Sequence, residues 1–507
     1  MLESFGLGFS IALRPESLIA MVVGVGWGIL GGALPGISGS IAMALLLPLT
    51  FGLDASVALM MLAGVWAGAG YGGSIPAILI KTPGTASAAA AIFDGFELHR
   101  QGKTGKALGV SLVTGTIGGL VSVIFLIALL VPLSRITLAF GPPEYFAVAL
   151  FGLVIISSLS EHAMLKGLIS GFFGLAIAVV GVDPLSAVQR FTFGRLELYE
   201  GFELVAVLIG LFAVTEMLTQ AGRLAQWRKI TDTATSTAMP TLGELRGVGR
   251  ATTVGAIVGL IVGVMPGAGQ TVASFVAYNE AKRWSKHPEQ FGKGSLEGVA
   301  APETANNAVQ GGDLVPALAL GIPGSNSAAI MLAALVLHGL RPGPMLFTTN
   351  PEVVYSLFAG LIIVNFLMLV IGFLILRLCM LVVNVPVPYL ITGVLSLVIV
   401  GSYSINNSSF DPLVAVAFGA VGYLMNRYGF SPAATVLGLL LGYLVEISMR
   451  RALIMSNVGW AIFVERPIAL AFVILSVLTL LYPFVMRWRA ARRQRATAVD
   501  DSHPAPA

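Results

Sequence analysis

Charge is what this 507-residue chain has least of: Asp, Glu, Lys and Arg make up 11% of it, against about 25% in a soluble protein. That shortage excludes a soluble globular body, and a mean hydropathy of +0.89 agrees. There is one cysteine, Cys379, inside an apolar run, which excludes a disulfide framework and a cysteine-based metal site. No GxxxxGK[ST] loop occurs, so no ATP-binding element of that kind is present. The apolar run Ser17–Leu34 follows Arg14 but no small-residue cleavage pattern ends it. It reads as a retained first span, not a signal peptide. Net charge is +4, with the basic residues clustered. Clustering fits loops held on the cytoplasmic side of a membrane better than a nucleic-acid surface.

What the chain has is apolar length: 56% of it is hydrophobic, with 60 glycines for close helix packing. At about 20 residues per span, the apolar blocks leave room for roughly ten to twelve transmembrane helices. The expected fold is therefore an all-α polytopic membrane protein. Its organisation reads as a short lead (1–16), a first transmembrane repeat (17–221), a polar connector (222–250), a second repeat with C-terminal spans (251–486), and a basic, Pro/Ala-rich tail (487–507) expected to be disordered.

The stretch Ala300–Ala329 is at odds with its oily context. It holds Glu303, Asn306, Asn307, Gln310, Asp313, Ser325, Asn326 and Ser327, with Pro302, Pro316 and Pro323. Each proline removes a helical hydrogen bond, and lipid cannot solvate the polar groups. Such a segment belongs where protein covers it or where it lines a wet cavity.

Its counterpart lies in the first half. Gly72-Gly73 precedes Pro76 and Pro83, and Gly311-Gly312 precedes Pro316 and Pro323; the two prolines stand 7 residues apart in each half. Each second proline opens a Pro-Gly followed by hydroxyl or amide side chains: Thr85 and Ser87 after Pro83-Gly84, Ser325 and Asn326 after Pro323-Gly324. Each half also has an earlier Pro-Gly, Pro35-Gly36 and Pro266-Gly267. Paired interruptions at corresponding positions point to a transporter's binding site. The basic loops swap places between the halves: Lys282–Lys293 follows the first break of half two, whereas Arg100, Lys103 and Lys106 follow the second break of half one. Positive charge favours the cytoplasm, so the two repeats are expected to be inverted.

A helix that starts at a Pro-Gly tip leaves its first amides unpaired, and these with the positive dipole end attract anions. Four such tips, with Ser38, Gly39, Ser40, Thr85, Ser87, Gln270, Thr271, Ser325 and Asn326 beside them, would suit a carboxylate. Glu303, Asn306, Asn307 and Asp313 are the candidates for ion coupling. Glu303 takes up a proton or lines the path, or else caps a helix through Thr304; Asp313 is either functional or an N-cap. Lys81 would counter an anion or snorkel to an interface. His162 and His338 read as packed or interfacial, and Arg195, Glu197, Glu200 and Glu203 as solvated charge.

Together GALPGISGS, YGGSIPAILIKTPGTASAAA, GVMPGAGQT, APETANNAVQGG and GIPGSNSAA resemble the large membrane subunit of the bacterial tripartite tricarboxylate transporters. The resemblance covers roughly Ser17 to Tyr443. It implies a permease of the cytoplasmic membrane, not an enzyme, which takes organic acids from a periplasmic solute-binding protein and works with a small membrane subunit. It also implies an ion gradient, Na⁺ or H⁺, as the driving force, with no cofactor beyond a coupling Na⁺. The rivals are a carboxylate or ion transporter that stands alone, and an intramembrane enzyme using Ser38 as nucleophile, which needs a base in reach.

Overall fold

A computed structural model describes residues 2–34, 36–137, 140–158, 164–183, 185–222, 238–265, 267, 269–343, 345–375 and 385–481. His162, Pro35, Pro266, Cys379 and the tail 487–507 fall outside them. The chain is an all-α membrane protein. Seven helices among the described residues are long and apolar enough to cross a bilayer, or eight if Gly459–Glu465 and Pro467–Leu481, bent by 90°, form one span. The expected ten to twelve is higher because five further apolar helices, of 10–17 residues each, are too short to cross alone.

The N-terminal lead is a helix, α1 (Leu2–Ala12). The span α2 (Pro15–Ala33) leads to the short α3 (Gly39–Leu46); α4 (Ala55–Gly72) and α5 (Ser74–Ile80) follow. Next come α6 (Ile92–Arg100), α7 (Thr104–Thr137), α8 (Pro142–Ser158) and α9 (Met164–Ala178). A two-residue ribbon, Gly181–Val182 paired with Gln189–Arg190, follows. Then α10 (Leu204–Ala221) crosses, with a π turn at Gly210–Val214. The second half holds α11 (Leu242–Gly247), α12 (Gly249–Val264), α13 (Gly269–Trp284), α14 (Leu296–Leu320), α15 (Asn326–Leu337), α16 (Pro351–Leu374), α17 (Val387–Asn406), α18 (Phe410–Arg427) and α19 (Pro432–Met455).

Small residues let the central helices meet backbone to backbone. Along α2, side chains on Gly24, Gly28 and Gly32 would collide with the carbonyls of Met61, Val65 and Ala69 in α4. Along α12, Gly255, Gly259 and Gly263 stand in the same way against the carbonyls of Ala301, Ala305 and Val309 in α14. The four-residue spacing puts each set on one helix face.

Three prolines expected to break helices do not. Pro302 and Pro316 lie inside the 25-residue α14, and Pro76 inside α5. A helical proline clashes with the carbonyl four residues earlier. That position is glycine each time (Gly72, Gly298 and Gly312), and glycine gives the backbone there room to adjust. The real breaks come later, at left-handed caps on Lys81 (φ 57°) and Gly321 (φ 73°).

Two polar anchors were not foreseen. Asp94, fully buried, accepts N–H bonds from Gly292, Gly294 and Ser295 at 2.7–2.9 Å and the Tyr278 hydroxyl at 2.9 Å. It ties the loop of the second half to α6 of the first. At the ribbon, Arg190 forks onto Glu446 at 2.6 and 3.1 Å, and Arg450 reaches Asp183 at 2.7 Å. Backbone N–H donation from Leu185 and the Arg450 guanidinium hold the Asp183 carboxyl below the usual range.

Candidate functional site

Each hairpin is finished in the same way. After the left-handed cap, Thr82 N–H returns to the Pro76 carbonyl at 3.4 Å, and Ile322 N–H to Pro316 at 3.2 Å. Proline and glycine then turn the chain, and a new helix starts. Gly84 N–H donates to the Gly73 carbonyl at 3.0 Å, while Gly267 N–H donates to the Gly324 carbonyl at 2.7 Å. The two Pro-Gly turns of the second half thus touch directly.

These turns surround one cavity of about 520 Å³. Four helical N-termini line it: Ser38–Ser40 at α3, Thr85–Ser87 at the 3-10 turn Ala86–Ala91 that runs into α6, Gly269–Thr271 at α13, and Ser325–Ser327 at α15. Ser38 Oγ caps Ile41 N–H at 3.3 Å and bonds Ser40 Oγ at 2.9 Å. Thr85 and Ser87 share a bond of 3.1 Å, and Ser325 caps Ala328 N–H at 3.3 Å. Positive dipole ends therefore converge on one volume. No Lys or Arg is among its described lining residues; Glu216 is the acidic one, taking a 3.2 Å bond from Gln220.

The cavity brings together Ser38, Gly39, Ser40, Thr85, Ser87, Gly267, Gln270, Thr271, Pro323, Gly324, Ser325 and Asn326. Gly36, Pro83 and Gly84 are not on its wall. Gly36 (φ 88°) packs against the Gln220 amide, and Gly84 against the Gly32 carbonyl. Pro35 and Pro266 lie outside the described residues. Lys81 is exposed, with its ammonium 5.7 Å from the Phe96 ring centre and away from the cavity.

The four ion-coupling candidates sit behind the wall, in mid-helix on α14, and are at most 1% exposed. Neither Glu303 nor Asp313 caps a helix. Glu303 accepts the Ser111 hydroxyl at 3.0 Å. The Asn306 side-chain amide donates to the Gly70 carbonyl at 3.1 Å, where α14 passes α4, and the Asn306 backbone carbonyl accepts from the Gln270 side chain of the cavity wall, also at 3.1 Å. Asn307 donates to Glu303 O at 3.1 Å. Neither carboxylate oxygen of Asp313 has a hydrogen-bond partner among the described residues. It faces the Gly324 tip so closely that a side chain there would strike it, with Ser325 as its neighbouring hydroxyl.

Trp66, Gly70, Leu211, Phe212, Thr215, Glu216, Asn426, Phe430 and Ser431 also line the wall and were missed. They come from plain apolar stretches of α4, α10 and α18–α19, where no break or polar density marked them. Ser38 spends its hydroxyl on Ser40 and the α3 cap, not on the histidine that a nucleophile would need.

Fold and cavity define a multi-pass membrane protein that encloses a polar compartment between broken helices, the architecture of a transporter. The chain belongs to the tripartite tricarboxylate transporter TctA family, whose model matches residues 18–437. It is 36% identical over 469 residues to a 52.8 kDa protein in the TAR-I ttuC' 3' region of Agrobacterium vitis, covering 92% of this chain and 93% of that one. A second Agrobacterium vitis protein, in the TAR-II ttuC' 3' region, is 36% identical over 230 residues, 45% of this chain and 95% of that one. No solved structure matches.

Proposed function

We propose that this chain is the permease subunit of a binding-protein-dependent secondary transporter in a bacterial inner membrane, taking up small organic carboxylates, tricarboxylates among them, on a Na⁺ or H⁺ gradient. One observation carries the reading: four helical N-termini line a single cavity that has no side-chain cation among its described residues. Amides and dipole ends compensate a carboxylate there without the desolvation that a buried Lys or Arg would bring. A periplasmic solute-binding protein would deliver the acid, and a small membrane subunit would complete the complex.

The matching glycine contacts of α2 on α4 and α12 on α14 support a duplicated unit. The exchange of basic loops between the halves supports its inversion. Glu303, Asn306, Asn307 and Asp313 would couple the ion, since they lie just behind the wall and Asn306 reaches it through Gln270. Uptake by the three reconstituted components, with Na⁺ and proton gradients imposed separately, tests the proposal. Uptake of labelled citrate, succinate or acetate that needs both the binding protein and one gradient is expected; uptake indifferent to both would refute it.

A further inference from the structure

One residue of the cavity wall carries a buried donor with no partner among the described residues. Trp66, in the middle of α4, is 1% exposed, and its indole N–H has no hydrogen-bond partner among the described residues. Among the described residues the other buried or half-buried indole, Trp27, donates to the Ala42 carbonyl at 3.0 Å, and even the exposed Trp284 reaches Glu280 at 3.1 Å. Buried tryptophan N–H groups ordinarily find an acceptor, because leaving one unpaired is costly. Trp66 also lines the cavity on which the four helical N-termini converge.

Resting on the carboxylate reading of that cavity, we infer that the Trp66 indole N–H is a substrate-binding donor that takes a carboxylate oxygen of the bound acid. The chemistry restricts the choice of partner. An indole N–H donates only and cannot ligate a cation, so the missing atom is an acceptor oxygen. The helix ends beside it, at Ser38–Ser40 and Ser325–Ser327, also present donors. An oxygen bearing negative charge satisfies all of them together. Trp66 stands one helical turn before Gly70, whose carbonyl holds Asn306 at 3.1 Å. The substrate donor and an ion-coupling candidate are thus joined through one turn of α4. Leu211 and Phe212 of α10 line the same cavity and supply its apolar side.

The test uses the full chain in nanodiscs, with acetate, succinate and citrate as probes. Trp66→Phe keeps the ring and removes the N–H. Losing a hydrogen bond to a charged partner should weaken binding of the preferred acid about 10- to 100-fold. The helical CD spectrum and the Tm without ligand should stay as in wild type. In wild-type protein labelled at the indole nitrogens, the Trp66 N–H resonance should move when the acid binds, a response that a packing role alone would not give. Equal affinity in Trp66→Phe, or a stationary resonance, overturns the inference while leaving the carboxylate reading intact. If wild type binds none of the three acids, both fall. If Trp66→Phe does not fold, the wild-type resonance alone decides.

Discussion

A methyl group on Gly84 is the sharpest probe of the architecture. Its Cβ would overlap the carbonyl oxygen of Gly32 and stand 3.0 Å from both Gly73 Cα and Pro76 Cγ. Two of these three atoms are backbone and the third is a proline ring, so none can rotate aside. The α2 helix cannot retreat, because Gly28 and Gly32 are already pressed on α4. The tip must therefore move, breaking the 3.0 Å bond from Gly84 N–H to Gly73 and displacing Thr85 and Ser87 from the cavity wall. Overpacking of this kind costs about 1–3 kcal/mol. If that strain is relieved when the tip leaves its binding position, affinity falls about 5- to 150-fold. Gly324→Ala makes a different collision, because the obstructing atom is the Asp313 side chain, which can rotate. Its expected effect is on ion dependence, with a smaller loss of affinity. Gly26→Ala, with open space around it, is the control and should match wild type. Equilibrium binding of the preferred acid to each variant in nanodiscs, with size-exclusion profiles to confirm folding, makes the measurement. Gly84→Ala protein that is folded and binds like the Gly26→Ala control would refute the placement of the first tip.

Three further outcomes are expected. Asn306→Leu removes the donor to Gly70 O and strands a buried carbonyl, at a cost of about 1–3 kcal/mol; insertion should survive and ion-driven uptake should drop, so normal ion dependence counts against a coupling role. Asp313→Asn keeps the shape and removes the charge; substrate counterflow should persist while gradient-driven accumulation is lost, and accumulation at the wild-type level would clear Asp313 of coupling. Outside the membrane, the Lys106 ammonium, at 2.5 Å, and the Thr241 backbone N–H depress the Glu244 carboxyl to about 2. A depressed folded-state pKa gives a contribution that is whole above the unfolded value, near 4.3, and is lost as pH falls toward 2. The distance between spin labels on α7 and α11 should therefore be the same at pH 7 and pH 5 and lengthen only below about 4; lengthening between 7 and 5 would rule out the pair as the tie.

How much of this was legible depended on whether a residue disturbed its context. Ser38, Thr85, Gln270 and Ser325 stood out because polar side chains beside Pro-Gly in an apolar sequence have few tolerable locations. The cavity collects all four. Trp66 and Phe212 left no trace, since an aromatic in a hydrophobic helix looks the same whether it faces lipid, core or cavity. The prolines misled in the opposite direction. Pro302 and Pro316 carry the usual sign of a break, but the glycines four residues earlier let α14 run through both. The signal was present in the sequence as a Gly-x-x-x-Pro spacing and required reading proline together with the carbonyl that it opposes. Asp94 was hidden for another reason: its partners Gly292, Gly294 and Ser295 are backbone amides nearly 200 residues away, and no side-chain pattern announces them.

The polar load of the two hairpins is unequal, and that inequality bears on mechanism. In α14 the buried positions hold Glu303, Asn306, Asn307, Gln310 and Asp313. The matching stretch of α4 holds Ala63, Trp66, Ala67, Gly70 and Gly73, the last being its cap. Both hairpins offer helix ends to the cavity, yet only the second backs its end with carboxylates and amides. An anion could therefore be shared between the two tips, whereas a coupling cation would find protein oxygen ligands mainly on one side. An ion held beside Asp313 would bear directly on Gly324, whose carbonyl already receives the Gly267 N–H at 2.7 Å. Occupancy behind the wall would then set the position of the tip in front of it. Coupling in this arrangement needs only that one hairpin be sensitive to the ion while both remain sensitive to the acid.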